Sequence, residues 1–188
     1  MGSGWMLEQL WSPIVAVTAA HAGQANGMIS STALSASVLP EAPRLTVQLA
    51  RWNLTHELVL GSGALAVHLL PAEPSEALDC SLELFVELGL RSGREVAKLA
   101  GTATRPGVTG SPILGEALAY AEGRVVQRFA GDEFTIVVAD VVDGARLREG
   151  AFLTIELVRE RLSPQQLEEW ELHRELELRE ARRLRGTS

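Results

Sequence analysis

Apolar and polar residues alternate along most of the first 160 positions, and the alternating runs are rich in β-branched side chains. Runs at 14–19, 28–37, 44–50, 64–70, 117–129, 134–142 and 152–158 fit a period of two, which predicts about seven strands. The last turn-bounded pair, on either side of Ala130-Gly131-Asp132-Glu133, reads as an antiparallel hairpin with a Gly-Asp turn. Two stretches have helical spacing instead. One is 53–60, and the other is 74–88, where Leu78, Leu82 and Phe85 share a face; both are expected to pack over the strands. Residues 101–112, with three Gly, two Pro and three Thr, have no period and read as a surface loop.

A different pattern closes the chain. Ser163-Pro164-Gln165-Gln166 combines an N-cap, a proline at the first helical position and a Gln three residues on, so a helix is expected from there to about Arg185. Its acids lead and its arginines follow, which suits the helix dipole, and Glu175 and Arg179 are spaced to pair. Leu167, Trp170, Leu172, Leu176, Leu178, Ala181 and Leu184 hold no clean heptad seam, which favours packing on the body or a partner subunit over a free coiled coil. The expected layout is one domain over 11–160 and a helical extension over 163–186.

The 188 residues are 46% apolar and 22% charged, enough for one domain with its own core. A net charge of −7 gives no electrostatic footprint for nucleic acid or an anionic membrane, so neither is an expected partner. No apolar run approaches the roughly 18 residues of a membrane-spanning helix. Met1 to Trp5 lack the basic flank and apolar stretch of a signal peptide, and the single cysteine, Cys80, suits a reducing compartment; the expected location is the cytoplasm.

Several motifs are set aside on physical grounds. Gly61-Ser62-Gly63-Ala64-Leu65-Ala66 matches a dinucleotide loop in letters, but a short helix precedes it and a strand follows, so it reads as a helix C-cap and turn. There is no Gly-Lys-Ser or Gly-Lys-Thr for a phosphate loop and no Gly-x-Ser-x-Gly elbow for a hydrolase. His21, His56, His68 and His173 share no metal-ligand spacing, so no metal is expected.

Two segments are richer in binding chemistry. In the run from Ala25 to Ser35, a turn dipeptide, Asn26-Gly27, opens a strand packed with small hydroxyl residues that let backbone N–H groups approach an anion closely; taken alone, it also reads as an edge strand with a polar face. One strand later Arg51 precedes a helix start carrying Thr55, an arrangement suited to phosphate.

Five segments in order, Ser12-Pro13-Ile14-Val15-Ala16-Val17-Thr18, Asn26-Gly27-Met28-Ile29-Ser30-Ser31, Thr55-His56-Glu57-Leu58, Thr109-Gly110-Ser111-Pro112-Ile113-Leu114 and Gly131-Asp132, resemble the flavin reductase-like family of FMN-binding split barrels over about Trp11 to Gly144. The resemblance implies an α+β fold, a six-stranded antiparallel split barrel here followed by the long C-terminal helix. It also implies a homodimer with FMN, or FAD as the alternative flavin, at its interface. On it, Ser30, Ser31, Thr32, Arg51 and Thr55 would hold the phosphate, and Asn26, Gly27 and Met28 would lie near the isoalloxazine. Ser92-Gly93-Arg94-Glu95-Val96-Ala97-Lys98 is similar to the flavoredoxin-like branch, making Lys98 a further ligand; otherwise it is an ordinary solvated lysine.

One position departs from the family. Where reductases of this kind usually carry histidine after Gly-Asp, this chain has Glu133, read as an anionic carboxylate that accepts hydrogen bonds but donates none, or as a group pointing to solvent. The expected function is an FMN-dependent oxidoreductase moving hydride or electrons from NAD(P)H to flavin, with a monooxygenase or other redox partner downstream. Two alternatives stand beside it: an FMN-binding electron carrier without NAD(P)H turnover, and a flavin-less dimeric interaction protein.

Overall fold

The computed structural model describes residues 13–187; Trp11 and Ser12 of the first resembling segment, and the N-terminal stretch read as lacking a signal peptide, lie outside them. β1 (Val15–His21), β2 (Gln24–Ser30), β3 (Leu34–Ser35) and β4 (Arg44–Ala50) lead to helix α1 (Leu54–Ser62). Then come β5 (Ala64–Leu69), α2 (Ser75–Leu90), β6 (Thr104–Pro106), β7 (Pro112–Leu114), β8 (Ala119–Ala130) and β9 (Phe134–Arg146). Helices α3 (Ile155–Arg161) and α4 (Pro164–Arg185) complete the chain. Seven strands form one antiparallel sheet in the order β2-β1-β5-β8-β9-β4-β3, six of them of full length and β3 only two residues long.

The sheet curls because its two ends share one core. Met28 of β2 and Leu45, Val47 and Leu49 of β4 join Val15, Val17, Leu65, Val137 and Ala139 in a single cluster, closed at one side by Leu58 and Val59 of α1. β1 is buried on both faces: Val15, Val17 and Ala19 point into the barrel, whereas Ala16 faces a second cluster made by α2, α3, Leu114 and Leu153. The hairpin is present as expected, with β8 and β9 in register across Ala130↔Thr135 and Gly131–Glu133 as its loop. Gly63 caps α1 at φ 66° with its N–H on the Val59 carbonyl, so the Gly-Ser-Gly sequence is a helix end and turn. No helix among the described residues is long and apolar enough to cross a membrane.

Four local expectations are corrected. Residues 152–158 are not a strand: Thr154 accepts the Leu157 N–H and starts α3, leaving Phe152 with only an isolated bridge to Pro71. The strand expected at 28–37 ends at Ser30, because the Ser30 hydroxyl takes the Thr32 N–H at 3.1 Å and diverts the backbone from the ladder. Asn26-Gly27 does not turn the chain; the β1–β2 turn is Ala22-Gly23, with φ of 50° and 81°. Finally, the loop expected at 101–112 contains β6, which pairs with β7 in a two-stranded sheet.

The extension is a helix from Pro164 to Arg185 with the full Ser163–Gln166 capping box. It packs on the body at its N-terminal half, where Leu167 and Trp170 meet the second cluster and Trp170 sits edge-on to Phe85 at 5.1 Å. The Arg179–Glu175 contact is 3.9 Å and both side chains are exposed, so it contributes little.

Candidate functional site

Ser30 and Thr32 build a hydroxyl corner where β2 ends. Their oxygens are 2.9 Å apart, and the Gln48 N–H of β4 donates to Thr32 Oγ1 at 3.2 Å, which ties the two ends of the curled sheet together. Beside this corner is a cleft of about 340 Å³, lined on the barrel side by Met28, Ser30, Ser31, Thr32, Gln48, Trp52, Asn53, Glu133 and Phe134. Its opposite wall comes from α4 through Arg174, Glu177, Leu178 and Ala181, whose spacing of three, one and three puts them on one helix face. The Trp52 ring packs against Phe134 at 5.6 Å, and its buried indole Nε1 meets no acceptor among the described residues. A buried N–H donor without an acceptor is costly unless something supplies one.

The remaining residues read from the sequence fall into two further groups. Asn26 and Thr55 are buried together, the Asn26 amide donating to Thr55 Oγ1 at 3.0 Å, so they join β2 to α1 behind the cleft. Gly27 lies beside them in close approach to α2, where a Cβ would come within 3.0 Å of Leu88. Lys98 is the one lysine of the chain and is not solvated: it is 4% exposed, with Nζ donating to the Leu88 carbonyl at 2.7 Å and the Gly27 carbonyl at 3.3 Å. Leu88 lies in the last turn of α2, whose carbonyls have no helical partner, so the ammonium serves that helix end while gripping β2. Burial pushes Lys98 down to about 8, with Glu87 opposing weakly.

Arg51 stands apart from the hydroxyls. Its Nη1 donates to the carbonyls of Gly131 and Asp132 at 3.2 and 3.0 Å, and its backbone N–H donates to the Glu133 carbonyl, so it fixes the hairpin loop. Glu133 at the tip of that loop does not point to open solvent as an uncompensated charge. Its side chain is only 16% exposed and forms an ion pair with Arg185 in the last turn of α4. That partner lies 52 residues along the chain from Glu133, beyond the reach of any local motif.

Two other polar features were not anticipated from the sequence. Glu122 on β8 is fully buried and accepts three hydrogen bonds, from the backbone N–H groups of Val108 and Thr109 and from Thr109 Oγ1, at 2.7 to 2.9 Å. The Thr109-Gly110-Ser111-Pro112 segment is therefore a loop locked onto a carboxylate, and Gly107 is required there because a Cβ would sit 2.3 Å from Glu122. The signal was available: Glu122 shares the inward face of its strand with Tyr120, where a period-two strand should carry an apolar residue. Glu57 pairs with Arg94, joining the start of α1 to the segment before Lys98, and that guanidinium holds the Glu57 carboxyl below its usual range. Of the histidines, His68 is pushed down to about 4 by burial and is a core residue, its Nε2 taking the Leu114 N–H. His56 is also held low by burial, and lies 2.9 Å from the Thr135 hydroxyl.

The sequence profile of the family described as flavin reductase like domain matches residues 7–160, so α4 lies beyond it. A high molecular weight rubredoxin from Moorella thermoacetica is 28% identical over 139 residues, 73% of this chain and 57% of that protein. This chain thus spans a little over half the length of that relative. Among solved structures, the FMN-binding protein from Thermus thermophilus superposes with a TM-score of 0.64 at 22% identity, covering 74% of this chain and 72% of the other. A flavin reductase domain protein from Arthrobacter sp. FB24 gives 0.67 at 21% identity, covering 79% and 86%. These likenesses establish the fold as that of the split barrels.

Proposed function

Because the chain belongs to the flavin reductase like domain family, we propose that it is a flavin-dependent oxidoreductase that holds FMN in the cleft between the hydroxyl corner and α4. The observation that carries this reading is the indole N–H of Trp52, a cleft-lining residue, which is buried without an acceptor among the described residues. Ser30, Ser31 and Thr32 line one side of the same cleft, and hydroxyls beside an indole N–H fit a ligand rich in phosphate and carbonyl oxygens. FAD shares those groups and is the alternative flavin.

Each residue then has a defined task. Ser30, Ser31 and Thr32 would hydrogen-bond the phosphate, and Met28 would border the ring system, with Asn26 and Gly27 supporting it from behind. Thr55 and Lys98 would act from behind, Thr55 by holding the Asn26 amide and Lys98 by holding the Gly27 carbonyl, while Arg51 would keep the 131–133 loop in place. When bound, the flavin supplies hydride and single-electron chemistry, and the protein supplies binding, orientation and polarity. Phe129 and Ile136, directly paired on the hairpin and 55% and 39% exposed, fit the apolar contact of a homodimer.

The reductant in this reading is NADH or NADPH, with a redox protein such as a monooxygenase as acceptor. A carrier without nicotinamide turnover is the second reading, favoured by the rubredoxin relative and by a carboxylate, Glu133, at the hairpin tip. Anaerobic mixing of the FMN-loaded protein with NADH or NADPH separates them. Bleaching of the flavin band within seconds is the expected result for the reductase, and reduction by dithionite alone would overturn that reading in favour of the carrier.

A further inference from the structure

Helix α4 is attached to the barrel in an uneven way. None of its residues is fully buried, and Leu172, Leu176 and Leu178 are about half exposed. Its N-terminal part is anchored by Trp170 against Phe85, by Arg159 over the Trp170 ring at 5.9 Å and by the Arg91–Glu169 ion pair. From Trp170 the helix runs about 22 Å further, at 1.5 Å per residue, to Arg185. Along that run it roofs the hydroxyl cleft with residues 174, 177, 178 and 181, and at its end Arg185 closes on Glu133 of the hairpin loop.

We propose that α4 is a lid on the flavin cleft, anchored at Trp170 and latched by Arg185 on Glu133, and that this latch sets how fast the flavin enters and leaves. The proposal rests on the flavin reading above. Its logic is mechanical. The lid is a helix with one well-packed end, and the latch is an ion pair to a loop that Arg51 also holds through the Gly131 and Asp132 carbonyls. Opening at the Arg185 end exposes the cleft without unpacking the Trp170 end. Glu133 is then a positioning residue that acts through α4.

Charge reversal tests this on the 188-residue chain. Release of FMN is followed by flavin fluorescence after dilution into excess competing apo-flavoprotein, and amide exchange across 174–185 is followed in the flavin-free protein. Arg185→Glu and Glu133→Arg are each expected to raise the release rate about tenfold and to speed exchange over 174–185, leaving exchange in β1 and β5 as in the wild type. Combining Glu133→Arg with Arg185→Glu restores the pair in reverse and should bring both readouts back. Unchanged release and exchange in the single variants, or a double variant as fast as the singles, would overturn the lid. A wild-type protein that binds no FMN would instead overturn the flavin reading and the gating of flavin with it, while the exchange data would still decide whether the latch holds α4.

Discussion

Lys98 is the residue at which burial and charge conflict most openly. An ammonium taken out of water favours losing its proton, and two backbone carbonyls compensate only part of the lost hydration, so Lys98 sits near 8 where an unfolded lysine titrates near 10.4. Between those values the unfolded chain binds more protons than the folded one, so the Lys98 contribution makes stability rise with pH across that window. At 1.36 kcal/mol per pH unit of difference the rise is about 3 kcal/mol. Urea unfolding at pH 7.5 and pH 10 should show this gain in the wild type and its loss in Lys98→Met; equal pH dependence in the two proteins would contradict the burial argument. The sequence marked Lys98 only through resemblance, because nothing local distinguishes a buried lysine from a solvated one. Glu133 is equally opaque: its letter is visible as a departure, but its partner is Arg185, which only the path of α4 brings near.

At the level of elements, legibility followed the reach of the signal. The β8–β9 hairpin, the Gly63 cap and the Ser163 capping box each depend on a few adjacent residues, and each was readable. Phe152 to Val158 satisfies a period of two as well as a helical one, and only Thr154 as N-cap decides for α3. β2 is shorter than its period suggests for a related reason, since the Ser30 hydroxyl at its end serves a local bond rather than the ladder. The tie between α1 and β2 shows what such long-range contacts do. Thr55 accepts the buried Asn26 amide, so Thr55→Val leaves a donor unsatisfied and should cost about 1–3 kcal/mol. A lower urea midpoint together with weaker FMN binding is the expected result, and wild-type values for both would remove this tie from the account.

Over the whole molecule, the barrel closes around one apolar cluster, and the hydroxyl cleft lies where β2, the hairpin loop and α4 converge. That convergence is what the sequence could list but not assemble: Ser30, Ser31 and Thr32 are adjacent in the chain, whereas Trp52, Glu133 and the face of α4 join them only through the curl of the sheet. The proposed function depends on that cleft holding a flavin, and a titration of the purified protein with FMN, read by flavin fluorescence quenching and absorbance, tests it most directly. Saturable binding at one FMN per chain, weakened by Trp52→Phe, which keeps the ring but removes the unmatched Nε1 donor, is the predicted result. No saturable binding, or binding that Trp52→Phe leaves unchanged, would contradict the placement of the flavin in this cleft.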